Sequence, residues 1–492
     1  MSEIVGTAGG RVRGLRAAEG VRAYLGIPFA APPFGAGRFE EPRPAAGWSG
    51  VRECTEFGPV APQSAELPGM RPWAPGDEDV LTLNVWAPEG GGPRPVLMWI
   101  HGGAYAFGSS SQPDYDGTVL ARAGLVVVGC NYRLGFEGFG RVPGRPDNRG
   151  LLDQVAALQW IRENIAAFGG DPGNVTVAGQ SAGAGSAVCL TAVDRARGLF
   201  RRVIAHSVPD DYSPVASAAA ITARVAAAAG VAPTAEGLGS APPEALLRAS
   251  DTVARDWGAD PASGALRHNT ALYGPVVDGA VLPAAPLSRP ADPGIDLLVC
   301  HTTEEWWLMR ETGQALPVHT VAELDRAAQE LGLPAGLAAG YRRLMPDADP
   351  AEVYTALMGD AVFSEHSRRV AEHHAGGGGR TYLACFDRRR STPGGGRTRA
   401  WHCADVPFAL GTLDRPETAF LLGGLPDDAD RALSRRMVRA WAGFAATGDP
   451  GWPRLAPGVA EPVRTWAVPE DGAAPADTPL RALWRDASPA TG

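Results

Sequence analysis

Val175-Thr-Val-Ala-Gly179-Gln180-Ser181-Ala182-Gly183-Ala-Gly185-Ser186 is the stretch around which this chain is organised. A β-branched run, Val175 to Val177, ends in Gly179; a serine follows two residues later, and small residues then let a helix begin at once. This reads as a strand, a tight turn and a helix. A serine at such a turn takes a strained backbone, reachable only when the residues two before and two after it carry no side chain. Gly179 and Gly183 meet that demand. The turn holds the Ser181 hydroxyl clear of the sheet and aims the Ala182 amide, at a helix N-terminus, where an oxyanion would develop. With 63 glycines in the chain, the pattern alone fits an ordinary glycine-rich turn equally well, so its surroundings must decide.

Working outward, Pro95 to Ile100 is continuously apolar like a buried central strand and runs directly into His101-Gly102-Gly103-Ala104-Tyr105. Leu125 to Arg133, Arg202 to Ser207, Ile295 to Thr302 and Thr381 to Phe386 read as further buried strands. Leu81 to Trp86 alternates like an antiparallel edge strand. Between Asn148 and Phe168, Leu151, Leu152, Val155, Leu158, Ile161 and Ile165 recur at helical spacing. Such alternation predicts an α/β fold with a large, mostly parallel sheet and helices on both faces. The alanine-rich residues 208–270, with helices over 216–229 and 243–255, read as an inserted helical cap. Arg388 to Arg399 reads as a solvated loop, the last helix as 428–446, and the remainder as a Pro/Gly-rich tail that ends with an irregular stretch.

No composition break divides the 492 residues, so one α/β domain spanning 1–492 is expected. The net charge of −9 opposes nucleic acid and anionic membranes, and no stretch is apolar for long enough to cross a bilayer. The six cysteines, Cys54, Cys130, Cys189, Cys300, Cys385 and Cys403, form no C-x-x-C pair. They read as free thiols in a cytoplasmic protein rather than as a metal site. The chain has no lysine, so its 45 lysine and arginine positions are all arginine, which reads as compositional bias. A nucleophilic serine needs a base and an acid to orient it, and in α/β-hydrolases these follow in the order serine, acid, histidine. Ser181, Glu305 and His402 stand in that order, the acid following one buried strand and the histidine in a loop after another.

These residues carry a resemblance to the type B carboxylesterases. It extends in order over nearly the whole chain: Gly26-Ile-Pro-Phe-Ala-Ala-Pro-Pro, Glu78 to Trp86, Trp99-Ile-His-Gly-Gly-Ala104, Asn131-Tyr-Arg-Leu-Gly135, Gly150-Leu-Leu-Asp-Gln154, Phe168-Gly-Gly-Asp-Pro172, Gly179 to Gly183 and Trp441 to Pro450. The resemblance implies an α/β-hydrolase that cleaves carboxylic esters through an acyl-enzyme, without metal or organic cofactor. It implies Ser181 as nucleophile, His402 as general base and acid, Glu305 as the triad acid, and the amides of Gly103, Ala104 and Ala182 as the oxyanion hole. Ser207 and Asp405 match positions expected to buttress the histidine loop. Tyr105, Phe107, Phe139 and Trp306 are expected to line the substrate pocket.

Three departures matter. Gln180 stands where relatives carry glutamate, which removes a negative charge beside a histidine that must become cationic and makes choline esters poor candidates. Ala61 and Val80 stand where secreted relatives have a cystine, which favours a reducing compartment. Glu305 is followed by Trp306-Trp307 instead of glycine, with Glu304 adjacent as a rival acid. Amide or carbamate hydrolysis, a lyase or cyclase step in the same pocket, and a non-catalytic binding module on this fold remain alternatives to ester hydrolysis.

Overall fold

The computed structural model describes residues 3–65, 67–90, 92–269, 271–391, 397–456, 463–468, 472–474 and 478–487. Its main sheet has eleven strands. In chain order they are β1 (Leu15–Ala18), β2 (Val21–Pro28), β3 (Thr82–Pro88), β4 (Arg94–Ile100), β5 (Val126–Cys130), β6 (Gly170–Gln180), β7 (Arg202–His206), β8 (Asp296–Thr302), β9 (Thr381–Phe386), β10 (Val463–Trp466) and β11 (Gly472–Ala474). Across the sheet the order is β11-β10-β9-β8-β7-β6-β4-β5-β3-β2-β1. From β10 through to β5 every pairing is parallel, while β1, β2, β3 and β11 run antiparallel to their neighbours.

The parallel strands read as unbroken apolar runs because both faces are covered. Along β4, Val96, Met98 and Ile100 enter one core while Leu97 and Trp99 enter the other. Helix α1 (Arg149–Asn164) packs Leu151, Val155, Leu158 and Ile161 into the first. On the opposite face the long helix α7 (Asp428–Thr447) contributes Leu433, Met437, Trp441 and Phe444. Between them in sequence lie α2 (Ala182–Leu190), α3 (Val215–Ala229), α4 (Pro243–Ala259), α5 (Pro350–Gly359) and α6 (Glu365–Gly376). Helices α3 and α4 fall within the stretch expected to form a cap. Among the described residues no helix is long and apolar enough to cross a membrane.

Three expectations need correction. Residues 81–86 are no edge: β3 is buried along its whole length between β2 and β5, because the β1–β2 hairpin extends the sheet beyond it. Within the described residues the tail does not end irregularly: after β10 and β11 its last element is helix α8 (Pro479–Ala487). Arg388, assigned to a solvated loop, is buried and makes a two-pronged ion pair with the equally buried Asp430, at 2.9 and 2.8 Å. Buried guanidinium is tolerated where a carboxylate matches its fork. Residues 392–396 of that loop lie outside the described residues.

Strand order also locates the site. After β5 the chain crosses back over β4 to reach β6, so connections leave the adjacent carboxyl ends of β4 and β6 in different directions. Open parallel sheets bind ligands in the crevice at such a switch point. Ile100 pairs with Gly179, so His101 to Ala104 and Ser181 emerge side by side.

Candidate active site

Ser181 sits between β6 and α2 with φ 55° and ψ −126°, a left-handed conformation that costs a non-glycine residue about 1–3 kcal/mol. The turn closes because its flanks are glycine. A Cβ on Gly183 would strike the carbonyl oxygen of Ile100, and one on Gly179 would strike the backbone of Gly183. The Ser181 amide donates to the His206 carbonyl at 2.9 Å, and the Ser181 carbonyl accepts from Gly185 at 2.9 Å. The N–H of Ala182, at the start of α2, has no carbonyl a turn earlier to bond and points with the positive end of the helix.

The loop after β4 is equally constrained. Gly103 has φ 112°, where a Cβ would collide with the Phe107 carbonyl, and Ala104 and Tyr105 follow at φ 50° and 56°. The Tyr132 hydroxyl donates to the His101 carbonyl at 2.8 Å, and Gln63 clamps Gly108 through both amide atoms, at 2.8 and 3.0 Å. Gln63, which no pattern in the sequence singles out, thus helps to fix this loop.

Glu305 lies beyond β8 and His402 beyond β9. The Glu305 Oε2 accepts from His402 Nδ1 at 2.6 Å, and its Oε1 accepts from the Ser207 hydroxyl and the Thr302 amide, each at 2.7 Å. Glu304 instead accepts from Arg399 and the Ala400 amide, at 3.0 and 3.1 Å, and so faces away. With Nδ1–H given to Glu305, the neutral ring keeps its lone pair on Nε2, and the side-chain nitrogen of Gln180 lies 3.0 Å from it. Burial disfavours the His402 imidazolium, but the Cys403 sulfur and the Glu305 carboxylate favour it, and the balance raises its pKa. His101 and His301, buried without a carboxylate on the ring, are pushed down to about 4 and about 3.

Asp405, in the loop that carries His402, bonds to β7 and not to the His402 ring. Its Oδ2 accepts from His206 Nδ1 at 2.6 Å, while the Trp441 indole donates to His206 Nε2 at 2.8 Å. Asp405 points under β7 because the turn after His402 carries it past the ring, with Cys403 at φ 69°. Cys300 lies close by, its sulfur within 4.8 Å of the His206 and Asp405 donor atoms. Both ring nitrogens of His206 are already engaged, so this cluster offers a metal no imidazole lone pair.

A cavity of about 220 Å³ opens against Ala104 and Phe107, walled by Leu134, Phe136, Tyr273 and Leu246 of α4. Of the four expected lining residues only Phe107 borders it. Tyr105, Phe139 and Trp306 are core residues, 0%, 2% and 1% exposed. Tyr105 packs on Phe139 at 4.7 Å, and Trp306 packs on Phe363 at 6.1 Å. Aromatic side chains beside a strand end bury their large area wherever the fold allows it. A larger cavity of about 530 Å³ lies beyond the far end of α2, near Leu190 and Arg289, and includes none of these residues.

The carboxylesterase family model matches residues 1–461. The chain is 36% identical over 450 residues to a phenmedipham hydrolase of Pseudarthrobacter oxydans, covering 88% of this chain and 87% of the other. It is 35% identical over 477 residues to a para-nitrobenzyl esterase of Bacillus subtilis (strain 168), covering 92% of each. A solved carboxylesterase from Geobacillus stearothermophilus superposes with a TM-score of 0.85 at 35% identity, over 98% of this chain and all of that one.

Proposed function

The chain belongs to the carboxylesterase family and is a carboxylic ester hydrolase, and from that premise we propose that Ser181, His402 and Glu305 perform the reaction. The single observation that carries the reading is the bond from His402 Nδ1 to Glu305, which leaves the Nε2 lone pair turned toward the end of β6 that bears Ser181. His402 Nε2 takes the proton of the Ser181 hydroxyl as its oxygen attacks the ester carbonyl. Glu305 stabilises the imidazolium thus formed, with Ser207 and the Thr302 amide fixing the carboxylate. The amides of Gly103, Ala104 and Ala182 receive the oxyanion. His402 then protonates the departing alcohol, and in the second half-reaction it activates water to release the acid.

The domain is read as a single α/β-hydrolase unit over 1–492, with 208–270 as its cap; Leu246 of α4 on the cavity wall supports that reading. The apolar walls favour esters with a hydrophobic acyl or alcohol group. Six unpaired cysteines support a reducing, cytoplasmic setting. The test is treatment with a fluorophosphonate followed by intact-mass analysis and peptide mapping. One adduct on Ser181 is expected. An adduct elsewhere, or none on folded protein, would sink the assignment.

A further inference from the structure

Between α5 and α6 the helix is interrupted by one π-turn, Asp360–Ser364, in which the Glu365 amide reaches back five residues to the Asp360 carbonyl. Single π-turns insert one residue into a helix and rotate the faces on either side of it, and they gather at functional sites. Here the inserted turn presents Phe363. Its ring lies over the His402 imidazole with centroids 4.1 Å apart and planes 30° from parallel. Phe363 is 3% exposed, backed by Trp306. Just before the turn, Gly359 abuts the Glu305 side chain so closely that a Cβ there would lie 3.3 Å from that of Glu305. The irregular turn and the glycine that precedes it therefore lie against the two members of the histidine–carboxylate pair.

We infer that Phe363 is a positioning residue for His402, and that the π-turn exists to deliver it. The inference rests on the reading of His402 as general base. A ring stacked face-on blocks rotation of the imidazole out of line with Glu305, so Nε2 stays turned toward the end of β6 that bears Ser181 between turnovers. The same face also attracts the imidazolium more than the neutral ring, through the negative charge above an aromatic plane. Phe363 thus acts on the step that creates the cation. The other groups facing His402 are the Glu305 carboxylate at Nδ1, the neutral Gln180 amide at Nε2 and the Cys403 sulfur, with Asp211 within electrostatic reach.

The experiment compares the intact enzyme with Phe363→Leu and Phe363→Tyr on a short p-nitrophenyl ester across pH. Phe363→Leu keeps an apolar side chain without a ring; kcat should fall about fivefold to tenfold with KM within about twofold of wild type. Because the ring favours the imidazolium, its loss lowers the His402 pKa, and the acid limb of kcat/KM should move down by about half a pH unit. Phe363→Tyr retains the ring and should restore both. Unchanged kcat and acid limb in Phe363→Leu would overturn the inference, as would a raised KM with kcat intact, which would make Phe363 a wall of the substrate pocket. If the leucine variant does not fold, the wild-type NMR spectrum decides: the His402 ring protons should resonate upfield of an unstacked imidazole, and their absence there overturns the stack. Failure of Ser181 to label with fluorophosphonate is a separate outcome that removes the reading beneath the inference.

Discussion

His402 and His206 are built alike. Each is buried, each gives Nδ1–H to a buried carboxylate at 2.6 Å, and each packs against aromatic rings, Phe363 over His402 and Trp99 and Trp441 around His206. They differ at Nε2. In His206 that atom accepts from the Trp441 indole, a group that can only donate and is locked in the core. In His402 it meets Gln180, whose amide can offer N–H to the neutral ring or, turned over, C=O to the protonated one. A histidine–carboxylate pair is therefore not in itself a catalytic device. What separates the two pairs is the group on the second nitrogen, and on the role proposed for His402 it leaves that pair able to move a proton while the His206 pair holds strands together.

The largest effect should come from exchanging the fate of the two rings. His402→Leu should reduce turnover of a p-nitrophenyl ester by about ten-thousandfold or more with the fold intact. His206→Leu should do the reverse: it strands the Asp405 carboxylate, costing about 3–5 kcal/mol in denaturant unfolding, while the folded fraction keeps activity within about tenfold. Equal losses of kcat in the two folded variants would break the distinction. Next in size, Glu305→Gln should lose about a hundredfold to ten-thousandfold in kcat and Glu304→Gln no more than a few-fold, since Glu304 faces Arg399. The opposite ranking in a side-by-side assay would transfer the acid to Glu304. The smallest effect concerns Gln180. Gln180→Glu sets a carboxylate beside Nε2, stabilises the imidazolium and raises the His402 pKa, so the acid limb of kcat/KM should move up by about one pH unit. An acid limb that stays in place would mean that Gln180 does not face the ring in solution.

Much of this site was legible along the chain because it rests on local backbone demands. Gly179 and Gly183 are forced by the turn itself, and Gly103 by a loop whose φ no side chain tolerates, so glycine spacing marked the Ser181 turn and the loop after β4, and the surrounding strands and the family resemblance gave them their roles. The buried strands were legible for a similar reason, since a sheet covered on both faces must be apolar at every position. Where an element ended in the interior or at an edge was harder to read. β3 alternates like an edge strand yet is buried, because alternation reports side-chain type and the neighbour that covers the strand comes from residues 15–28. Tyr105, Phe139 and Trp306 misled for the reason that an aromatic in sequence carries no sign of whether it faces a cavity or the core.

By itself, then, the sequence determined the fold class, the strained serine turn, the glycine-rich loop after β4 and the order of serine, acid and histidine, because each is written in steric requirements of a few consecutive residues or in a pattern repeated along the chain. Only the tertiary structure decided which of two adjacent glutamates meets His402, that Asp405 serves His206 instead, that Gln180 faces Nε2, and that Phe363, from a helix 39 residues before His402, lies over its ring. Those are contacts between segments whose separation along the chain says nothing about distance. They are set by the order in which strands pair and by the one residue a π-turn inserts, and neither leaves a mark in local composition.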